Sequence, residues 1–178
     1  MSEPRLYFAY GSNMASGVLA ARGIQFRSIA AARLDDYRLT FRRRSIRTGT
    51  GVADIAPEKG SVVWGVVYEL TGSDEAELDQ KEGVPWAYSR RDVVVSLAGD
   101  AERDVFTYVV TTPEATEVPP SPDYVKSMLE GAREHGLPDD YVSTLEDLTK
   151  RFAATGDLSG GDRAAVRGNN PRSSRSKR

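Results

Sequence analysis

Elimination narrows the chemistry this 178-residue chain can perform to its carboxylates. The chain holds no cysteine and one histidine, His135. A thiolate nucleophile, a disulfide, a Cys-His dyad and a cysteine-ligated metal are therefore excluded, and a Ser-His-Asp triad is a poor fit. His135 falls at the expected end of a helix, where a positive side chain is favoured for structural reasons alone. A zinc site of carboxylates only would match zinc's preferences badly. Gly11-Ser12-Asn13 has the spacing of neither GxxxxGK[ST] nor GxGxxG, so the usual nucleotide loops are missing.

Among the carboxylates, Glu82 has the most unusual setting. The spacing predicts a helix over Asp74–Glu82 in which Glu75, Leu78 and Glu82 share one face. Leu78 is its only large apolar residue, so that face packs on the body and draws Glu82 inward. Glu82 also lies in the last turn, where the helix dipole disfavours a negative charge. Burial and dipole together suit a glutamate that takes up and returns a proton near neutrality. The structural alternative is that Glu82 reaches the rim or pairs with Arg90 or Arg91.

A second candidate is LYFAYGSNM, Leu6 to Met14, where an apolar run gives way to Gly-Ser-Asn. A strand ending in a glycine turn before a helix displays free backbone N–H groups, which can hold a carboxylate or a developing oxyanion. Read as structure alone, Gly11 permits a tight turn and Ser12 or Asn13 caps the helix. The run Arg42 to Ser45, with Arg47, reads as a solvated strand end and loop. Its secondary reading is attraction of an acidic group on a substrate. Tyr10, Trp64, Tyr68 and Trp86 read first as core.

The elements that must position these residues come from periodicity and punctuation. Leu6–Tyr10 reads as a strand and Met14–Arg22 as a short helix ended by Gly23. Extended segments follow at Phe26–Leu34, Tyr37–Arg42 and Gly51–Ile55, then a central strand at Ser61–Leu70. Ser73 is the expected cap of the Glu82 helix and Gly83 its left-handed stop. Tyr88–Leu97 and Asp104–Thr111 read as a meander joined by Ala98–Glu102. Ser121 and Pro122 open a helix with an apolar stripe of Val125, Met128, Leu129 and Ala132, ended by Gly136. A last helix carries Tyr141, Leu145, Leu148 and Phe152. The fold class expected from this order is α+β. Residues 1–155 read as one domain and 156–178 as a flexible basic tail.

Six of the 24 basic residues lie in Arg163–Arg178, which has no acidic residue, so the rest of the chain carries eight more acidic than basic side chains. An acidic body argues against nucleic acid as a partner. No apolar run reaches the roughly 18 residues of a membrane span, and Met1–Arg5 lacks the regions of a secretory leader, so no membrane partner is expected. Freedom from cysteine suits the cytoplasm.

Together these pieces resemble the gamma-glutamylcyclotransferase family, the AIG2-like group. The likeness rests on YFAYGSNM, GVADI, VVWGVVYEL, LDQKEGV, PPSPDY and GLPDDY, which follow one another from Tyr7 to about Leu148. The resemblance implies a small mixed β-barrel with flanking helices, and a cavity where the Tyr10–Met14 loop meets the end of the LDQKEGV helix. The family's catalytic glutamate falls on Glu82, its substrate loop on Tyr10, Gly11, Ser12 and Asn13, and a pocket-closing aromatic on Tyr88. Tyr124 is a further substrate-binding candidate. Between Glu82 and Tyr88 the spacing is one residue shorter than in the animal cytosolic enzyme, which bears on Tyr88 and the leaving-group pocket. The implied reaction forms 5-oxoproline from a small γ-glutamyl compound by attack of its α-amine on the γ-carbonyl, with no metal or other cofactor. A cytoplasmic homodimer is the accompanying expectation. The alternatives are a cyclotransferase for γ-glutamyl amines or a γ-glutamylated pathway intermediate, and a non-catalytic binding module of the same fold.

Overall fold

The computed structural model describes residues 4–156. Five strands, β1 (Arg5–Ala9), β2 (Phe26–Arg44), β3 (Gly51–Leu70), β4 (Tyr88–Ser96) and β5 (Glu102–Val110), close into a barrel in the order β1-β3-β2-β4-β5. The barrel is mixed: β1 meets β5 in parallel through Tyr7 and Phe106, and the other neighbours are antiparallel. Closure at β1–β5 leaves no open edge there, which protects the strand carrying the Gly-Ser-Asn loop. Four helices flank it, α1 (Ser16–Ala21), α2 (Gly72–Glu82), α3 (Pro122–Glu134) and α4 (Asp139–Gly156). Phe8, Tyr68, Leu78, Phe106, Met128 and Leu145 are fully buried members of one core shared by barrel and helices.

Several elements differ from the sequence reading. The separate extended segments belong to two long strands, because the expected breaks are bulges instead. Asp36 takes a positive φ of 61° and its carboxylate accepts the Gly60 N–H at 2.8 Å, so both strands continue past the irregularity. Met14–Arg22 is not one helix. A three-residue 3₁₀ turn, Ser12–Met14, is followed by extended Ala15 and then α1. The Tyr68 hydroxyl donates to the Met14 carbonyl at 2.6 Å, occupying an acceptor that a continuous helix would use. Thr71, not Ser73, caps α2: its hydroxyl accepts the Asp74 N–H and the helix begins at Gly72. Gly83 does end α2 in the left-handed conformation, and Ser121 caps α3 through the Tyr124 N–H. The tail expected over 156–178 lies, past its first position, outside the described residues.

Two close approaches fix the loop after β1. At Gly131 on α3, an added Cβ would stand 2.3 Å from the Met14 carbonyl carbon and 2.4 Å from the Ala15 nitrogen. Only glycine lets α3 press its backbone onto the loop. Behind it, His135 Nε2 meets the Tyr68 hydroxyl at 2.9 Å and Ser16 Oγ at 3.3 Å. The single histidine thus braces the back of the loop through Tyr68 and Ser16.

Candidate active site

The loop after β1, the last turn of α2, the start of β4 and the base of the β2–β3 hairpin surround a cavity of about 320 Å³. Tyr10, Gly11, Ser12, Asn13, Glu82, Tyr88 and Tyr124 all line it, so every site residue expected from the sequence is brought to one place. Glu82 is the only carboxylate in that lining.

Glu82 owes its position to α2. Leu78, fully buried, anchors the helix face, and Glu82 follows one turn later with a side chain only 13% exposed. Its Oε1 receives two hydrogen bonds, from Arg22 Nη1 at 2.6 Å and Asn13 Nδ2 at 3.0 Å. Oε2 makes no hydrogen bond with any described residue. One oxygen is held and the other is free for a proton or ligand. The pairing with Arg90 or Arg91 does not form. Arg90 instead binds Glu75 and Asp79 from the neighbouring turns of α2, with Nη2 at 2.6 Å from Asp79 Oδ2. Glu75 and Asp79, two of the four acidic residues preceding Glu82 on α2, thus satisfy the arginine of β4.

Arg22 was not legible as a site residue. A basic residue before Gly23 reads as a partner for the C-terminal dipole of α1, and nothing in the spacing links it to a carboxylate 60 positions later. Tyr7 was also missed, because an aromatic in an apolar strand reads as core. It is core, 4% exposed, yet its hydroxyl receives the other Asn13 Nδ2 bond at 3.0 Å and faces the cavity. Asn13 is itself buried and joins the two.

The 3₁₀ turn turns Met14 and Ala15 N–H groups back onto the Gly11 and Ser12 carbonyls. The N–H groups of Gly11, Ser12 and Asn13 donate to no described backbone carbonyl. Gly11 does not need glycine for its dihedrals, since its φ is −107°. It needs glycine for space: a Cβ would stand 2.9 Å from the Tyr124 hydroxyl and 3.1 Å from Ala53 Cβ.

A bulge in the β2–β3 ladder builds the opposite wall. Thr40 pairs with Asp54 and Arg43 with Val52, so Phe41 and Arg42 together oppose Ala53. The freed backbone of Ala53 serves two tyrosines instead. Its N–H donates to the Tyr124 hydroxyl at 3.0 Å, and its carbonyl accepts from the Tyr88 hydroxyl at 3.0 Å. The Phe41 and Arg42 carbonyls are in turn taken by the Val118 and Glu114 N–H groups. Tyr88 is thus seated in the cavity.

Burial pushes the phenols of Tyr7, Tyr10, Tyr88 and Tyr124 upward, and the Glu82 charge adds to the rise at Tyr7, Tyr88 and Tyr124. These hydroxyls are neutral at physiological pH, so they donate or accept hydrogen bonds without competing as bases. Among the described residues no cluster of histidine and carboxylate side chains has the arrangement of a metal site. The cavity therefore pairs one carboxylate with the Gly11-Ser12-Asn13 turn. That suits acyl chemistry in which charge develops on a carbonyl oxygen while protons move between nitrogens.

Residues 62–145 match the AIG2-like family. Gamma-glutamylcyclotransferase from Bos taurus is 36% identical over 151 residues, spanning 82% of this chain and 79% of that protein. The protein of that name from Homo sapiens shows the same identity and coverage. A solved structure described as a gamma-glutamyl cyclotransferase superposes with a TM-score of 0.76 at 35% identity, covering 81% of this chain and 87% of that one.

Proposed function

The chain belongs to the gamma-glutamylcyclotransferase family, and we propose that it converts a small γ-glutamyl compound into 5-oxoproline and a free amine in the cavity around Glu82. The observation that carries this reading is the single cavity carboxylate, held through Oε1 with Oε2 free, in a cavity also lined by a turn whose N–H groups donate to no described backbone carbonyl.

In the proposed reaction Glu82 Oε2 takes a proton from the substrate's α-ammonium. The amine nitrogen then attacks the γ-carbonyl carbon and closes the five-membered ring. Both reacting groups belong to one molecule, so holding the glutamyl chain folded supplies much of the acceleration. The oxyanion of the tetrahedral intermediate is held by N–H groups of the Gly11-Ser12-Asn13 turn. Collapse breaks the bond to the leaving nitrogen as Glu82 returns a proton to it. Of the ammonium's three protons one stays on the ring nitrogen, and two end on the released amine, which leaves as an ammonium ion. Arg22 and Asn13 are positioning residues that keep Oε1 engaged while Oε2 works. Tyr88 and Tyr124 form the wall against which the glutamyl chain folds.

Nucleic acid is not a partner in this reading, and neither is a membrane; no described helix is long and apolar enough to cross one. A cytoplasmic location and a homodimeric state belong to the same proposal, and light scattering on the purified protein reads the latter. The reaction is tested by incubating the protein with a panel of γ-glutamyl amino acids and γ-glutamyl amines and measuring 5-oxoproline by mass spectrometry. Product from at least one is expected. A folded protein that yields none would instead be a binding module.

A further inference from the structure

Three cations line the cavity: Arg22, Arg43 and Lys81. Two have carboxylate partners, Arg22 with Glu82 at 2.6 Å and Lys81 with Glu77 at 3.5 Å. Arg43 makes no ion pair or hydrogen bond with any described residue. Its guanidinium lies over the ring of Tyr88, 5.5 Å from the centroid. The side chain is half-buried. A cation held at a partly desolvated wall with no anion beside it pays for burial without a Coulombic return. An anion arriving with the ligand supplies that return.

The geometry gives this anion a place on the substrate. Arg43 and Glu82 both act electrically on Tyr88: the carboxylate raises the phenol and the guanidinium lowers it. Both charges therefore act close to the Tyr88 ring. A γ-glutamyl amino acid carries a counterpart for each, an ammonium to be deprotonated near Glu82 and a carboxylate on its leaving group. The backbone of Arg43 is also fixed. It ends the bulge that frees Ala53, pairing with Val52, and the hairpin beyond is closed by Ser45 N–H to the Thr50 carbonyl and Gly49 N–H to the Ser45 carbonyl, each 2.8 Å.

We infer that Arg43 is a specificity residue that receives a carboxylate on the leaving group, so that γ-glutamyl amino acids are favoured over γ-glutamyl amines. The inference rests on the cyclotransferase reading of the same cavity. A guanidinium over Tyr88 with no anionic partner among the described residues can take a carboxylate in a bidentate contact, which a lysine on the same backbone makes less well.

The test compares γ-glutamyl-alanine with γ-glutamyl-ethylamide, which differ by that carboxylate alone, with 5-oxoproline release as the readout. Wild-type protein is expected to favour the alanine compound in kcat/KM by tenfold or more. Arg43→Gln is expected to lower kcat/KM for it about 10–100-fold more than for the ethylamide, the size of a lost charge-assisted contact. Arg43→Lys should recover part of that preference. Equal kcat/KM for the two substrates in wild type overturns the inference whatever the variants do, and so does an equal loss on both in Arg43→Gln. In either case 5-oxoproline is still formed, so the cyclotransferase reading stands. Absence of product from both compounds and from the wider panel overturns both together.

Discussion

Replacing Glu82 by glutamine keeps the side chain's shape and removes its capacity to take up a proton. If Oε2 shuttles protons, turnover falls by on the order of 10²–10⁴, the usual contribution of a positioned acid–base group. The same change acts on stability in two directions. It weakens the 2.6 Å bond from Arg22, a charge-assisted contact of about 1.5–3 kcal/mol. It also relieves a negative charge in the last turn of α2, worth about 0.3–1 kcal/mol. With Arg22 32% exposed, water takes up part of its lost bond. A net loss of about 1–2 kcal/mol follows, or roughly 2–8 °C in Tm for a chain of this size. Loss of stability alone therefore does not separate a catalytic from a structural glutamate. Arg22→Gln separates them, because it breaks the same ion pair while leaving the carboxylate. It should melt at or below Glu82→Gln, because the carboxylate stays charged and loses its partner, and retain turnover within about tenfold of wild type, with the deficit mainly in positioning. Thermal unfolding and 5-oxoproline release on the same preparations measure both quantities. Wild-type turnover in Glu82→Gln would refute the mechanism. So would equal turnover in the two variants, because activity would then follow the ion pair rather than the proton.

Gly11→Ala brings a Cβ to 2.9 Å from the Tyr124 hydroxyl, and a several-fold rise in KM with little change in melting is expected; unchanged kinetics would show that the tyrosine yields freely. Gly131→Ala forces α3 off the Met14 backbone and should cost about 1–3 kcal/mol, read by thermal unfolding, together with activity as the loop shifts. Tyr124→Phe strands the Ala53 N–H and should cost about 1–3 kcal/mol, and in combination with Tyr88→Phe the losses should be non-additive because both tyrosines bond one residue. Burial raises the carboxyl of Asp54 above its ordinary range, against the pull of the Val110 and Ile55 N–H groups and the charges of Arg42 and Arg91. Such a group binds its proton more tightly folded than unfolded, so it costs stability above its folded pKa and nothing below its unfolded one. Asp54→Asn, whose amide oxygen can still accept the Val110 N–H, should therefore raise Tm at pH 7, and the gain should shrink as the pH falls through the carboxylate range. An undiminished gain in acid would exclude the charge as its cause.

How far the site was legible depended on whether its residues act through local or distant contacts. Glu82 could be found because its signal lies within one helix: Leu78 fixes the buried face, Gly83 fixes the end, and both are local in sequence. The Gly11-Ser12-Asn13 turn could be found for the same reason, although its glycine answers to a tyrosine 113 positions away rather than to its own dihedrals. Arg22 left no such trace, because its role exists only when α1 and α2 are folded against each other. The bulge at Phe41 and Arg42 was hidden more deeply. Two long strands that pair almost throughout read as shorter ones, since Asp36, Pro57 and Gly60 look like breaks until the bulge geometry accommodates them. Yet that irregularity is what frees the Ala53 N–H and carbonyl, seats Tyr124 and Tyr88 through them, and sets Arg43 beside the ring of Tyr88. A regular ladder at this point would return the Ala53 groups to β2 and leave both tyrosines without their backbone partners. The cavity wall therefore depends on a departure from strand regularity, and a perfect alternation of side chains in β2 would have made a better barrel and a poorer site.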